Sequence, residues 1–315
     1  MSSFTVAVAG GTGGLGRSIT EAIIADGKYE VVILSRKADE EKANEIGARI
    51  ISADYTSVEA LTKLLEDNKI QTVVSTLQLM GGAQHELNLV VAADRSSTTR
   101  RYVPSTWVVD FGEEFGLASY PPSAKGKEEI IHTLQSSQLE FTSWNIGLFT
   151  DYYVAPHVKS HLSLMHIVLD MESNAASIPG SGNVPLALTY SQDVANFVAA
   201  SLSLAKWEPK TYLIGDRVTW NELVALAEAA KGVKFNVAHD PVELLREGKT
   251  TELPGHKAMY PFFTKERVQA VMASFGEMFD VGIFDLKAER TIDQEFPDIK
   301  RHSVKELLTE AWAGK

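Results

Sequence analysis

The sequence predicts an α/β protein: a Rossmann-type, doubly wound parallel sheet with a smaller C-terminal α+β substrate subdomain. Three observations carry this expectation. A glycine-rich turn, GGTGGLG at residues 10–16, stands between an apolar run and a helix-patterned stretch. Short β-branched runs then alternate with helix-patterned stretches and no hairpin signals intervene, the pattern of a parallel sheet covered on both faces. After Asn145 the alternation loosens and turn residues become frequent. The expected division is residues 1–150 as the cofactor-binding domain and 151–315 as the substrate subdomain, with elements around 179–216 able to return to the sheet.

The elements follow in order. Phe4–Ala9 is short, apolar and β-branched, as in a buried strand. Leu15, Ile19, Ala22 and Ile23 recur at helical spacing, and Gly27 closes that helix. Glu30–Ser35 and Ala48–Ser52 are the second and third strands, and Val58–Leu65 is the next helix. Thr72–Thr76 is the fourth strand, followed by helix Glu86–Ala93. Tyr102–Ser105 is a short fifth strand. Helix Lys127–Ser136 turns Ile130, Ile131 and Leu134 inward, and Phe141–Asn145 is the sixth strand. Right-handed crossovers make the strand order reverse beside the first strand, opening a ligand crevice at the strands' carboxyl ends. Farther on, Pro179–Asn183 is a turn, and Ser191–Leu204 is a helix with Ser191 as its cap. Trp220–Lys231 is a helix stopped by Gly232. Pro254 and Pro261 interrupt a loop region, and Ser303–Glu306 is a capping box opening the last helix.

Composition narrows the function. The 315 residues carry 30 basic and 41 acidic side chains, a net charge of −11, which argues against nucleic acid, where affinity comes from neutralising phosphates. There is no cysteine, which excludes disulfides, zinc–thiolate sites and cysteine nucleophiles. No targeting segment and no apolar run of about 20 residues is visible. A cytoplasmic protein that does not engage membranes is expected. His157, His161 and His166 cluster, and 157 and 161 have the spacing of a zinc pair on one helix face, but no Glu follows the first His, so no metal is expected.

Gly10, Gly13 and Gly16 each have a mechanical reason. The first permits a turn with positive φ, the second leaves room for a diphosphate, and the third lets helix and strand pack closely. The helix start then offers free amides and partial positive charge to an anion. Gly14 and Leu15 supply amides to the same turn, and Thr12 either bonds a phosphate or caps the helix. NAD enzymes place an acid roughly 20 residues past the glycines. Here the second strand ends in Ser35, Arg36 and Lys37, and a guanidinium with a neighbouring ammonium suits a 2′-phosphate. NADP(H) is the expected cofactor. The alternatives are a solvated basic pair, or one of Asp39, Glu40 and Glu41 folding back to the ribose. Asp54 either accepts the adenine amino hydrogen or serves the helix that starts near Ser57. Thr76, Leu77 and Gln78 end the fourth strand and should lie along the cofactor, as should Asn145 at the end of the sixth.

No tyrosine has a lysine four residues later, so the common Tyr-x-x-x-Lys mechanism is not expected. The nearest pair, Tyr120 and Lys125, is separated by Pro121 and Pro122, which forbid continuous helix. The chain instead resembles the NmrA-like and isoflavone-reductase-like group of atypical short-chain dehydrogenases. The resemblance covers nearly the whole chain. It rests on VAGGTGGLG at 8–16, LSRK at 34–37, Gln84 at the head of the fourth helix, RYVPSTWVVDFG at 101–112, AKGKEEI at 124–130 and PGSGNVPLALTYSQDVANFVAASL at 179–202. The stretches WNELVALAEAAKG and FPDIKRHSVKELL look like fungal members.

The resemblance implies that Lys127, which opens the family's K-x-x-I-R-R pattern, contacts the nicotinamide ribose and acts as general acid/base. Lys125 is its rival, and a plain surface lysine is the alternative reading. Both arginines of the pattern are replaced, by Ile131 and His132. The plant motif Pro-Ser-Glu-Phe-Gly becomes Pro104-Ser105-Thr106-Trp107, which puts plant substrates in doubt. Trp107, Phe149, Tyr152 and Tyr153 either line an aromatic pocket or belong to the core. The leading expectation is NADPH-dependent reduction of a small aromatic or secondary metabolite at C=O, activated C=C or benzylic C–O. The alternatives are a dinucleotide-sensing regulator with a protein partner, and a non-redox isomerase or cyclase on the same scaffold.

Overall fold

The computed structural model describes residues 4–79, 81–110 and 122–315. Tyr120, Pro121 and the Phe111-Gly112 end of the fifth-strand motif lie outside the described residues. The first layer is a six-stranded sheet in the order β3-β2-β1-β4-β5-β6, built from β1 (Thr5–Ala9), β2 (Glu30–Ser35), β3 (Arg49–Ser52), β4 (Ile70–Ser75), β5 (Arg101–Val103) and β6 (Glu140–Phe141). Every pairing in it is parallel. The order reverses between β1 and β4.

Alternation along the strands shows why both faces are covered. Val6, Val8, Ile33, Val74 and Val103 join one core with Ile19 and Ile23 of α1 (Gly14–Asp26) and Val194, Phe197 and Val198 of α7 (Ser191–Ser201). Ala7, Ala9, Val32, Leu34, Val73 and Tyr102 point the other way. They meet Leu61 and Leu65 of α3 (Val58–Asp67), Leu89 and Val90 of α4 (Gln84–Arg95), and Ile130 and Leu134 of α5 (Pro122–Gln135). A third core gathers the later chain around Tyr153, Trp220, Phe279, Phe284, Leu308 and Trp312.

Several expectations shift in detail. Phe4 lies outside β1 and is exposed. The sixth strand divides at Thr142: β6 pairs with β5, while β7 (Ser143–Asn145) pairs in parallel with β12 (Lys210–Tyr212). A helix foreseen nowhere, α2 (Glu40–Ile46), is capped by Asp39 through the Lys42 amide at 2.9 Å. It buries only Ile46, so it shows no apolar periodicity. α5 begins at Pro122, five residues ahead of Lys127. Ser191 is not a cap: it is the first helical residue of α7, and the buried carboxylate of Asp151 accepts its amide at 2.9 Å and its hydroxyl. The helix start is thus satisfied by a residue distant in sequence, which local pattern cannot reveal. A 16-residue helix, α10 (Lys265–Asp280), fills much of the expected loop region. Gly27 and Gly232 close α1 and α8 (Trp220–Lys231) in the left-handed conformation. Ser303 and Glu306 form the reciprocal box at the start of α11 (Val304–Trp312). Among the described residues no helix is long and apolar enough to cross a membrane.

Candidate active site

In a parallel α/β layer each helix that follows a strand starts on the sheet's carboxyl side, so the starts of α1, α4 and α5 share one edge. The glycine turn makes that edge at β1. Gly10 has φ +83°, a conformation that L side chains avoid. Gly16 is fixed by space: a Cβ there would stand 2.4 Å from Thr76 Oγ1 and 2.5 Å from the Gly10 carbonyl oxygen. Gly13 differs from both. Its backbone is extended (φ −162°) and a Cβ would meet nothing within 4 Å. Gly13 therefore fronts open space at the N-cap of a helix with no acidic residue in its first turn. This combination of free amides, partial positive charge and room fits a diphosphate. Thr12 and Gly14 are half-buried beside it, Leu15 is in the core, and the Leu162 side chain comes within 3.8 Å of where a Gly14 Cβ would be.

Thr76 is part of the turn's scaffold. Its hydroxyl donates to the Ala9 carbonyl at 2.8 Å and abuts Gly10 and Gly16. Leu77 is half-buried and Gln78 exposed beyond it. At the end of β2, Ser35 is half-buried and Arg36 and Lys37 are exposed. Of the nearby acids, Asp39 is spent capping α2, and Glu40 and Glu41 stand in the first turn of that helix. This leaves a basic strand end, which suits a phosphate. Asp54 is exposed and accepts from the Thr56 amide at 3.0 Å and the Thr56 hydroxyl at 2.6 Å, bonds that lower its pKa. The cap of α3 is Ser57, bonded to the Ala60 amide.

Lys127 is half-buried, whereas Lys125 is exposed. A Cβ on Gly126 would come 3.0 Å from the Ala83 Cβ at the N-cap of α4, so α5 lies directly against the start of α4 at this point. Burial pulls the Lys127 ammonium down to about 8, where an amine exchanges protons readily near neutral pH.

The aromatic candidates separate. Phe149 and Tyr152 are half-buried and meet edge to face at 6.1 Å. Trp107 packs on Trp144 and donates its indole N–H to the Ser75 carbonyl at 2.8 Å, so its polar edge is used in the core. Tyr153 sits in the core: it is 0% exposed, its hydroxyl donates to the Ile167 carbonyl and its ring meets Trp220. Asn145 is buried at the end of β7. The three histidines share no helix. His157 packs against Trp312, His161 reaches Glu21, and His166 approaches Asp170.

One residue escaped the sequence reading. Glu86 is 0% exposed, and burial raises its carboxyl to about 7 despite bonds from Ser75, Ser105 and Tyr102. A signal existed: Glu86 falls on the stripe of Leu89, Val90 and Ala93, where an unpaired carboxylate is costly.

The comparisons with known proteins agree with this architecture. Oxidoreductase BOA1 of Botryotinia fuckeliana is 36% identical over 283 residues, 89% of each chain. Oxidoreductase swnN of Metarhizium robertsii is 27% identical over an aligned length of 340, covering 98% of each. The leucoanthocyanidin reductase of Vitis vinifera, solved as a binary complex with NADPH, superposes with a TM-score of 0.75 at 18% identity, covering 98% of this chain and 99% of that one. That last likeness is one of fold. The pattern of the NmrA-like family matches residues 2–304, and the chain therefore belongs to that family.

Proposed function

We propose that this protein is an NADPH-dependent reductase of a small aromatic or secondary-metabolite substrate, with Lys127 as the general acid. The observation that carries the reading is the placement of Lys127. Its half-buried amine, at about 8, stands on the helix that Gly126 seats against the start of α4. That is the same carboxyl edge onto which Gly13 opens. Two relatives named as oxidoreductases and a fold neighbour solved with NADPH support a redox role.

In this reading NADPH supplies the hydride. The amides at Gly13, Gly14 and Leu15 hold the diphosphate, with Thr12 beside them, and Arg36 and Lys37 take the 2′-phosphate. Asp54 faces the adenine, while Thr76, Leu77, Gln78 and Asn145 line the cofactor's path. Lys127 gives its proton to the oxygen or carbon that becomes electron-rich. Phe149 and Tyr152 offer an aromatic wall, and Trp107 stiffens the segment behind it. Residues 1–150 bind the cofactor and 151–315 shape the substrate side. The missing cysteines suit a reducing cytoplasm.

The test follows NADPH absorbance with a panel of aromatic ketones and enones, for the wild-type protein and Lys127→Ala. Turnover that is lost in the variant while NADPH still binds supports the reductase. Tight NADPH binding without oxidation across the panel would favour the regulator. Product without cofactor consumption would favour the isomerase.

A further inference from the structure

Glu86 stands where two walls of the proposed cleft meet. Its Oε1 accepts the Tyr102 hydroxyl and the Ser105 amide, each at 3.1 Å, and its Oε2 accepts the Ser75 hydroxyl. Bonds continue outward from these donors. Ser75 Oγ accepts the Leu77 amide at 3.4 Å, and the Ser75 carbonyl accepts the Trp107 indole. The Ser105 hydroxyl donates to the Leu77 carbonyl at 2.8 Å. The segment after β4 and the segment after β5 are thereby tied to each other and to one side chain. Once ionised, the side chain accepts from all three donors without adding one of its own. The Ser105 amide is backbone and cannot turn to another acceptor.

Packing alone does not require an acid here. A leucine would extend the stripe of Leu89, Val90 and Ala93 at no desolvation cost, and such departures from local rules concentrate at functional sites. In a sheet of this order the strands beyond the switch point carry the second mononucleotide half of a dinucleotide.

We propose that Glu86 is a positioning residue: by accepting from Ser75, Tyr102 and Ser105 it sets the post-β4 and post-β5 segments that seat the nicotinamide ring of the cofactor. The inference rests on the cofactor reading above and adds a residue that acts through others. Two fluorescence-monitored titrations distinguish the outcomes, one with NADPH and one with 2′-phospho-ADP-ribose, which lacks the nicotinamide. Glu86→Leu should weaken NADPH by about tenfold, the effect of unpaired buried donors displacing one wall, and leave 2′-phospho-ADP-ribose within about twofold. Glu86→Gln, which still accepts and whose amide can turn toward a hydroxyl, should recover NADPH binding to within about threefold of wild type. If Glu86→Leu does not fold, Ser75→Ala removes one donor with little change of volume, and the same selective loss, about threefold, is expected. Equal weakening of both probes, or no weakening of NADPH in a folded variant, would overturn the proposal. Wild-type protein that bound neither probe would overturn the cofactor reading itself, and this inference with it.

Discussion

Gly13→Ala and Gly16→Ala form a matched pair, because each adds one methyl group three residues apart on the same turn. At Gly13 the backbone is extended and the new carbon meets nothing within 4 Å. The fold should barely register it. Alanine is a poorer N-cap than glycine by up to about 1 kcal/mol, and the stiffer unfolded chain returns about 0.4–1 kcal/mol. The melting temperature should move by no more than about 3 °C. At Gly16 the carbon lands 2.4 Å from Thr76 Oγ1 and 2.5 Å from a backbone oxygen. That is about 1 Å inside ordinary contact, an overpacking of about 1–3 kcal/mol or more. It should lower the midpoint by about 2–12 °C. Binding should run the other way. A methyl group at Gly13 occupies the space assigned to the diphosphate and should cost NADPH at least about tenfold in affinity. Thermal melts and NADPH fluorescence titrations read both effects. If Gly13→Ala bound NADPH like the wild type, or melted as low as Gly16→Ala, the reasoning about this turn would be refuted.

Other outcomes follow from the same geometry. A general acid must be protonated, so the rate of ketone reduction should be full below about pH 8 and fall as pH rises through the Lys127 value; a rate flat across that range would count against Lys127. Arg36→Ala should weaken NADPH by about tenfold or more and NADH by less than about threefold, and equal losses in paired titrations would argue against a 2′-phosphate at this strand end. Glu86 also shapes stability. Its raised carboxyl keeps a proton that the unfolded chain has released, so its contribution is full below the ordinary 4.5 and is lost as pH rises through about 7. Between about pH 5 and pH 8 the wild type should therefore lose about 2–3 kcal/mol that Glu86→Gln does not, as read by urea unfolding at both pH values.

Much of the architecture is legible locally because local signals agree there. Val6 and Val8 against Ala7 and Ala9, the glycine spacing, the closing Gly27 and the Ser303–Glu306 box each state their structure within a few residues. What the pattern conceals depends on distant partners. The first amide of α7 is satisfied by the distant Asp151, the sixth strand divides because β12 takes its second half, and α2 is held by Asp39 with one buried side chain. The candidate site is legible from fewer signals. The turn and the basic strand end are visible by residue type and position, and Lys127 comes into view through the family resemblance. The aromatic run does not, since only burial separates half-buried Phe149 and Tyr152 from Tyr153, whose hydroxyl is spent on the Ile167 carbonyl. Glu86 stayed hidden because a helix pattern with one acid on its apolar side still reads as a helix.

The most direct measurement is a crystal structure with NADP⁺ diffused in. The account predicts the diphosphate against the amides of residues 13–15, the 2′-phosphate beside Arg36, and the Lys127 ammonium at about 3 Å from a hydroxyl of the nicotinamide ribose. A dinucleotide bound away from that turn, or a Lys127 amine pointing into bulk solvent, would contradict it.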